Sequence, residues 1–232
     1  WNGTTPWVHK RADLEAKAGR KLSEMEYQLR NWYYFAWICG DHIVEQHVHL
    51  LDRANWIKGD HPVEANGMGG REVRKGPDHG QIFDHHFVEY TYADGAKLYS
   101  QCRHIPGCAN IGGTMAHGVE GVADSSGKIT GKAAWNYRGE RVSGHAQEHV
   151  DWIEAIRDNV EYNEGWFGAT SSMTAVLGRM ATYSGQIVRW DDAVAKGPNE
   201  MPEELAFNAD PPVKPDASGG YPIAVPGVFK AY

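Results

Sequence analysis

The chain has 232 residues, with 30 acidic against 23 basic side chains and a net charge of −7. It is long enough to bury a sizeable core as one large domain or two small ones. The acidic balance argues against a nucleic-acid groove or an anionic membrane surface, both of which favour basic patches, and no apolar run approaches the ~20 residues that span a bilayer.

Cys39, Cys102 and Cys108 are the three cysteines. They form no CxxC pair, so neither a disulfide framework nor a zinc ribbon is indicated. Cys102 and Cys108 are near enough in sequence to pair in an oxidising compartment, but a reduced, partly buried state is expected. A start at Trp1-Asn2-Gly3, without an initiator Met or a basic-then-apolar leader, is what a processed product or a fragment would show.

Residues 1–30 read as an irregular, charged lead-in. Trp1 to Trp7 begins extended, broken by Gly3 and Pro6. Lys10 to Lys21 is expected to be a solvated loop with some helical character. Ser23 with Glu26 three residues on is a weak helix start. An aromatic run from Arg30 to Trp37 then leads to Gly40 and Asp41, where Asp41 is a plausible N-cap. A single helix should run from there to Trp56 and stop near Gly59, with Pro62 just beyond.

From His61 the apolar period changes to two. Pro62 to Val73 suggests a strand in which Gly67, Gly69 and Gly70 mark a bulge or a close backbone approach. Segments 82–92 and 96–105 flank Ala93-Asp94-Gly95, a hairpin signal, and 114–123 and 128–137 flank Ser125-Ser126-Gly127. Helical spacing returns over 145–160, with Val150, Ile153 and Ile156 on one side. It continues over 166–183, where Met173, Val176, Leu177 and Met180 form an apolar stripe. Ile187-Val188 suggests a short strand, and 196–232 an extended, Pro- and Gly-punctuated tail. These elements predict an α+β fold: an open, mainly antiparallel sheet covered by helices on one face, as a single domain over 1–232.

Chemistry concentrates in Gly40 to Asp52. On a helix of about 100° per residue, His42, Glu45, Gln46, His49 and Asp52 share one face, while Ile43, Val44, Val48, Leu50 and Leu51 fill the other. A solvated polar face is the plain alternative, but such faces mix in Lys and Arg, and none precedes Arg53 here. His49 is a candidate proton-transfer residue: an imidazole titrates near neutrality, and Glu45 one turn earlier could orient it. A hydrogen-bonded core histidine explains His49 about as well from spacing alone. His42, Glu45 and His49 could alternatively hold a metal, with Asp84-His85-His86 contributing from elsewhere, although the H-E-x-x-H arrangement is absent. On a helix His47 points about 160° away from His49. Gly67-Met68-Gly69-Gly70 precedes no helix and fails the context test for a dinucleotide fingerprint, and neither a G-x-S-x-G elbow nor a P-loop is present.

The segments Arg30-Asn31-Trp32-Tyr33-Tyr34-Phe35, Gly40 to His49, Asp52, Asn55-Trp56 and Gly67 to Arg71 together resemble the C-terminal half of Gfo/Idh/MocA oxidoreductases. So do Gln147-Glu148-His149, Asn163-Glu164-Gly165, Ser171 to Met180 and Val225-Pro226-Gly227. The resemblance implies a D-x-x-x-H pair on this helix, with His49 as catalytic acid/base and Glu45 in place of the Asp. It implies a supporting Asp52 and a substrate pocket approached by Arg30, Asn31, Trp32, His42 and Gln46. The family's Rossmann domain is missing from these residues, so NAD or NADP is expected only where that domain is supplied, a separate nucleotide-binding chain being one source. Implied partners are a sugar or cyclitol substrate and further copies of the chain, joined through the sheet face. Two other functions stay open: a metal-assisted lyase or hydrolase acting on a sugar, and a non-catalytic assembly subunit.

Overall fold

The computed structural model describes residues 7–232; the extended start read at residues 1–6 lies outside them. Arg11–Ala18 is helix α1, ended by Gly19 at φ 67°. It is a helix where a loop was expected, because its ends are satisfied. Asp13 sits in the first turn, Lys17 in the last, and glycine adopts the left-handed cap conformation at no steric cost. Arg11 also ties it to the next helix through Glu24 at 2.5 Å. That helix, α2 (Glu24–Arg30), begins on the expected capping box: Glu26 N donates to Ser23 Oγ (3.1 Å) and Ser23 N to Glu26 Oε2 (3.0 Å). The aromatic run forms a 3-10 turn at Trp32–Tyr34 and then α3 (Ala36–Cys39). Tyr27, Tyr34, Phe35 and Ile82 build a core there, closed by Tyr221 from the tail.

The helix expected over 41–56 is two helices, α4 (His42–Glu45) and α5 (Val48–Lys58). The N–H groups of Gln46 and His47 both reach the carbonyl of His42 at 3.1 Å, so the turn is one residue too wide for an α-helix. The wide turn lets His47 swing inward, where its Nε2 meets Ser100 Oγ at 2.6 Å. Gly59 (φ 68°) ends α5 as expected.

Strands β1 (Pro62–Gly70), β2 (His85–Tyr92) and β3 (Lys97–Arg103) pair antiparallel, with Gly95 (φ 83°) in the β2–β3 turn. The next segment differs from expectation. In place of one hairpin it folds into four short strands, β4 (Met115–Gly118), β5 (Gly121–Asp124), β6 (Lys128–Gly131) and β7 (Trp135–Asn136), which form a separate antiparallel sheet. The turn at Ser125-Ser126-Gly127 holds, but each predicted strand folds back once more, at Val119-Glu120 and after Gly131. Helix α6 (Gly144–Arg157) follows and buries no residue, and its apolar side (Val150, Ile153, Ile156) is exposed. Helix α7 (Gly165–Ser184) returns to the core. Strand β8 (Val188–Arg189) then adds to the free edge of β1, giving the order β3-β2-β1-β8, and leads into α8 (Trp190–Lys196). The architecture is α+β with open antiparallel sheets.

Helix α7 lies across β1 and β2, with α4 and α5 packed on it. Its last turns are buried nearly all round, not along one stripe: Ser171, Thr174, Ala175, Gly178, Ala181 and Thr182 are buried with Leu177 and Met180, while Met173 and Val176 are only half-buried. Small side chains bring this helix close to the sheet. Gly67 of β1 serves the same approach, since a Cβ there would lie 3.1 Å from Thr182 Cγ2 of the helix, while at Gly69 the crowding comes from β2 and its loop, 2.8 Å from the His85 carbonyl and 3.1 Å from the Phe83 ring. Gly178 sits against the Tyr90 hydroxyl, where an added Cβ would collide. Overpacking of this kind costs about 1–3 kcal/mol. Gly178→Ala is therefore expected to lower the unfolding free energy by about 1–3 kcal/mol, read by urea titration as a lower midpoint at an unchanged slope.

Candidate functional site

Two layers of polar side chains meet around α4, one buried and one open. The buried layer centres on Asp41. Gly40 and Asp41 turn the chain sharply between α3 and α4, both at φ 72°, a conformation a non-glycine residue holds only where its surroundings compensate. The Asp41 carboxylate supplies that compensation. Its Oδ1 accepts from the backbone N–H and Nδ1 of His42, the latter at 2.8 Å. Its Oδ2 accepts from Phe83 N (2.8 Å) and from the Tyr183 hydroxyl (2.6 Å), with His86 Nε2 at 3.3 Å.

Register delivers the rest of this layer. His86 faces inward from β2, opposite Cys102 of β3. His104, just past β3, is placed by its N–H bond to the Asp84 carbonyl (2.8 Å). The fully buried Arg74 donates to the Phe83 carbonyl and, through Nη2, to His104 Nδ1 at 3.0 Å; its Nη1 is 4.0 Å from Asp41 Oδ1. The carboxylate of Asp84 holds this loop by accepting three successive N–H groups, from Glu72, Val73 and Arg74. Burial alone would raise the pKa of Asp41, but His86 and His42 hold it well below the usual carboxylate range. Burial lowers His42 to about 4 against the pull of Asp41. Burial and the neighbouring His42 and Arg74 lower His104 to about 3.

The open layer carries Glu45, Gln46, His49 and Asp52. His49, on the first turn of α5, is exposed, and Glu45 and Gln46 are half-buried. Asp52 lies three residues after His49 and accepts from Ser171 Oγ at 2.6 Å, which locks α5 to α7. Glu45 Oε2 and the Tyr33 hydroxyl are both buried without a well-formed hydrogen bond. Burial raises the Tyr33 phenol, and the nearby Glu45 charge raises it further.

Several expected site residues sit elsewhere. His42 does not share the open face with Glu45 and His49; it is fully buried on Asp41. The expected trio of His42, Glu45 and His49 does not converge, and among the described residues the side chains that cluster with metal-ligand character are Asp41, His42 and His86. The reason is the wide turn after Glu45, which splits the one helical face assumed for all three. Asn31 is buried and its amide fully engaged: it accepts from His9 N (2.9 Å) and donates to the Asp78 carbonyl (2.7 Å) and to Tyr27 Oη (3.2 Å). It therefore joins the lead-in to the core and has no group free for a substrate. Trp32 is half-buried between Trp7 and Tyr33, and Arg30 is exposed.

Tyr33, Arg74, His86, His104 and Tyr183 were not singled out as interacting with one another. Only the inward alternation of 84, 86, 102 and 104 could have flagged the two histidines. Cys39, Cys102 and Cys108 are all free, the first two buried. The glycines of 67–70 pack the sheet, so they cradle no phosphate. No helix among the described residues is long and apolar enough to cross a membrane.

No family model matches the sequence, and no curated protein matches it. Solved structures match the fold. An aldose–aldose oxidoreductase from Caulobacter crescentus, complexed with glycerol, superposes at TM-score 0.56 and 17% identity, over 75% of this chain and 65% of its own. A Thermotoga maritima protein assigned as an oxidoreductase gives 0.55 and 16%, over 68% of this chain and 49% of its own. Levoglucosan dehydrogenase in complex with NADH and levoglucosan gives 0.51 and 18%, over 68% of this chain and 53% of its own. The chain has the fold of a Gfo/Idh/MocA-type C-terminal domain. It covers about half to two thirds of the length of these oxidoreductases.

The buried imidazoles fix how this fold responds to acid. His104 and His47 are both depressed, chiefly by burial. Between their folded values and the ordinary value near 6.5, the unfolded chain binds more protons than the folded one, so stability falls as pH falls. It is fully present above about pH 6.5 and declines below, by about 1.4 kcal/mol per pH unit for each histidine kept neutral. Urea titrations at pH 7.5 and 5.5 should show this loss, and His104→Asn should flatten the slope.

Proposed function

We propose that this chain is the substrate-binding and catalytic half of an NAD(P)-dependent oxidoreductase acting on a secondary alcohol of a sugar, glycoside or cyclitol. The observation that carries the reading is an exposed imidazole, His49, placed four residues after Glu45 on a helix that the Asp52–Ser171 bond fastens to α7, on a fold shared with sugar oxidoreductases. His49 accepts the hydroxyl proton as the carbinol carbon gives up hydride, which leaves a ketone; in the reverse direction it returns the proton. Glu45 lies four residues earlier, on α4, with its carboxylate near the Tyr33 hydroxyl. Arg30, Trp32 and Gln46 flank the substrate. The nicotinamide cofactor, NAD or NADP, accepts the hydride. Its binding residues belong to a Rossmann domain supplied outside these 232 residues, in the same polypeptide or another chain.

A second reading, assembly, is favoured by the surface. The chain exposes 14297 Å², more than a third above the about 10,500 Å² expected for a compact monomer of its 25.8 kDa. Met68, Phe87 and Tyr99 are exposed on the sheet face that the helices leave open. We infer that a second copy covers this face.

His49→Ala, assayed with the nucleotide-binding half supplied, is expected to lower kcat/KM by about 10²–10⁴-fold while sugar binding persists; unchanged turnover would refute the role. Light scattering across a hundredfold concentration range is expected to show a dimer or larger. Phe87→Glu with Tyr99→Glu should return it to a monomer.

A further inference from the structure

Asp41, His42 and His86 each offer a ligand atom, and the three atoms lie within 4.8 Å of one another, all fully buried. The hydrogen bonds around them define which lone pairs are free. His42 Nδ1 lies 2.8 Å from Asp41 Oδ1 and so carries the proton, which leaves Nε2 a bare lone pair; that atom is buried and has no partner. His86 Nδ1 is 2.9 Å from Thr182 Oγ1, whose own hydroxyl is 3.0 Å from the Arg179 carbonyl. Thr182 donates onward to that carbonyl and accepts from His86 Nδ1, so His86 Nε2 is also a lone pair, and it too has no hydrogen-bond partner.

That second lone pair faces Asp41 Oδ2 at 3.3 Å. A lone pair and a carboxylate oxygen repel unless a positive group, a proton on the imidazole or a metal ion, lies between them; the same contact that holds the Asp41 pKa low is therefore the place for a cation. The separation is long for a hydrogen bond, but it equals the roughly 3.3 Å edge between two ligands of a tetrahedral zinc ion bound at about 2.05 Å. We propose that Asp41, His42 and His86 form a structural site for a divalent transition-metal ion of the zinc class. Oδ2 of Asp41 and Nε2 of His86 are the preformed edge. His42, whose ring centroid lies 4.8 Å from that of His86, closes the site by turning its free imidazole nitrogen onto the ion.

The outer groups fit this role. Thr182 orients His86, and Tyr183 and the Phe83 N–H hold the carboxylate, as partners of metal ligands do. Arg74 stays on the Oδ1 side and is engaged by the Phe83 carbonyl and His104. Its positive charge disfavours hard cations that need several carboxylates, and two imidazoles favour zinc, cobalt or nickel. A buried water completes the fourth position. The ion joins α4, β2 and α7 at the point where they meet, and it is separate from the open layer of His49 and Glu45.

The test is metal analysis of the chain expressed with added zinc and dialysed against metal-free buffer. About one zinc per chain is expected, and less than a tenth would overturn the proposal. Other exposed histidines make a surface control necessary. His85, which points away from the site and pairs with Asp84, should be replaceable by Gln with no loss of metal, whereas His86→Gln should lose it. Retention of zinc by a folded His86→Gln chain would also overturn the site. Should that variant fail to fold, cobalt substitution of the wild-type chain decides. Intense visible d–d bands of a four-coordinate ion, without sulfur charge-transfer, are expected, and a weak six-coordinate spectrum would refute the proposal.

Discussion

The carboxylate of Asp41 is the point through which α4, β2, the loop before β2 and α7 are held in one arrangement. It is fully buried, at a backbone angle that few non-glycine residues adopt. A buried carboxylate without partners would cost several kcal/mol, so the group is tolerable only because His42, Phe83 and Tyr183 donate to it and Arg74 lies within 4.0 Å. Apart from the adjacent His42, those partners come from segments far apart in sequence. The strained corner at Gly40-Asp41 and the docking of α7 on the sheet therefore stand or fall together.

This hub also sets what the open layer can do. By drawing His42 inward, it removes that imidazole from the outer face that carries Glu45 and His49. The wide turn at Gln46-His47 sends His47 to Ser100 and restarts the helix, so that His49 emerges on a new first turn, anchored by Asp52 to Ser171. The Asp52–Ser171 bond fixes the helix that carries His49 onto α7.

Beyond the core, residues 111–167 expose Ile111, Trp135, Trp152, Ile153, Trp166 and Phe167. A helix of α6's length is marginal when nothing covers its apolar side. The second sheet and α6 thus carry apolar side chains that no other described residue of this chain covers.

The local elements were legible in the sequence because each rests on short-range physics. The Ser23–Glu26 capping box, the stop at Gly59, the Asp94-Gly95 turn and the apolar period of two through β1 to β3 all depend on residues within a few positions of one another. The open antiparallel α+β class follows from them, as does the close approach at Gly67 and Gly69. Long-range contacts decided the rest. Whether the helix after Asp41 ran unbroken depended on Ser100, 53 residues from His47, and whether His42 faced solvent depended on residues 83, 86 and 183. The fold-back of residues 114–137 into four strands was set by turns at Val119-Glu120 and after Gly131 that carry no strong signal. Helical periodicity assigns a residue to a face, but only the packed neighbours determine which face is buried, and the burial of a charge depends on partners that sequence spacing does not reveal.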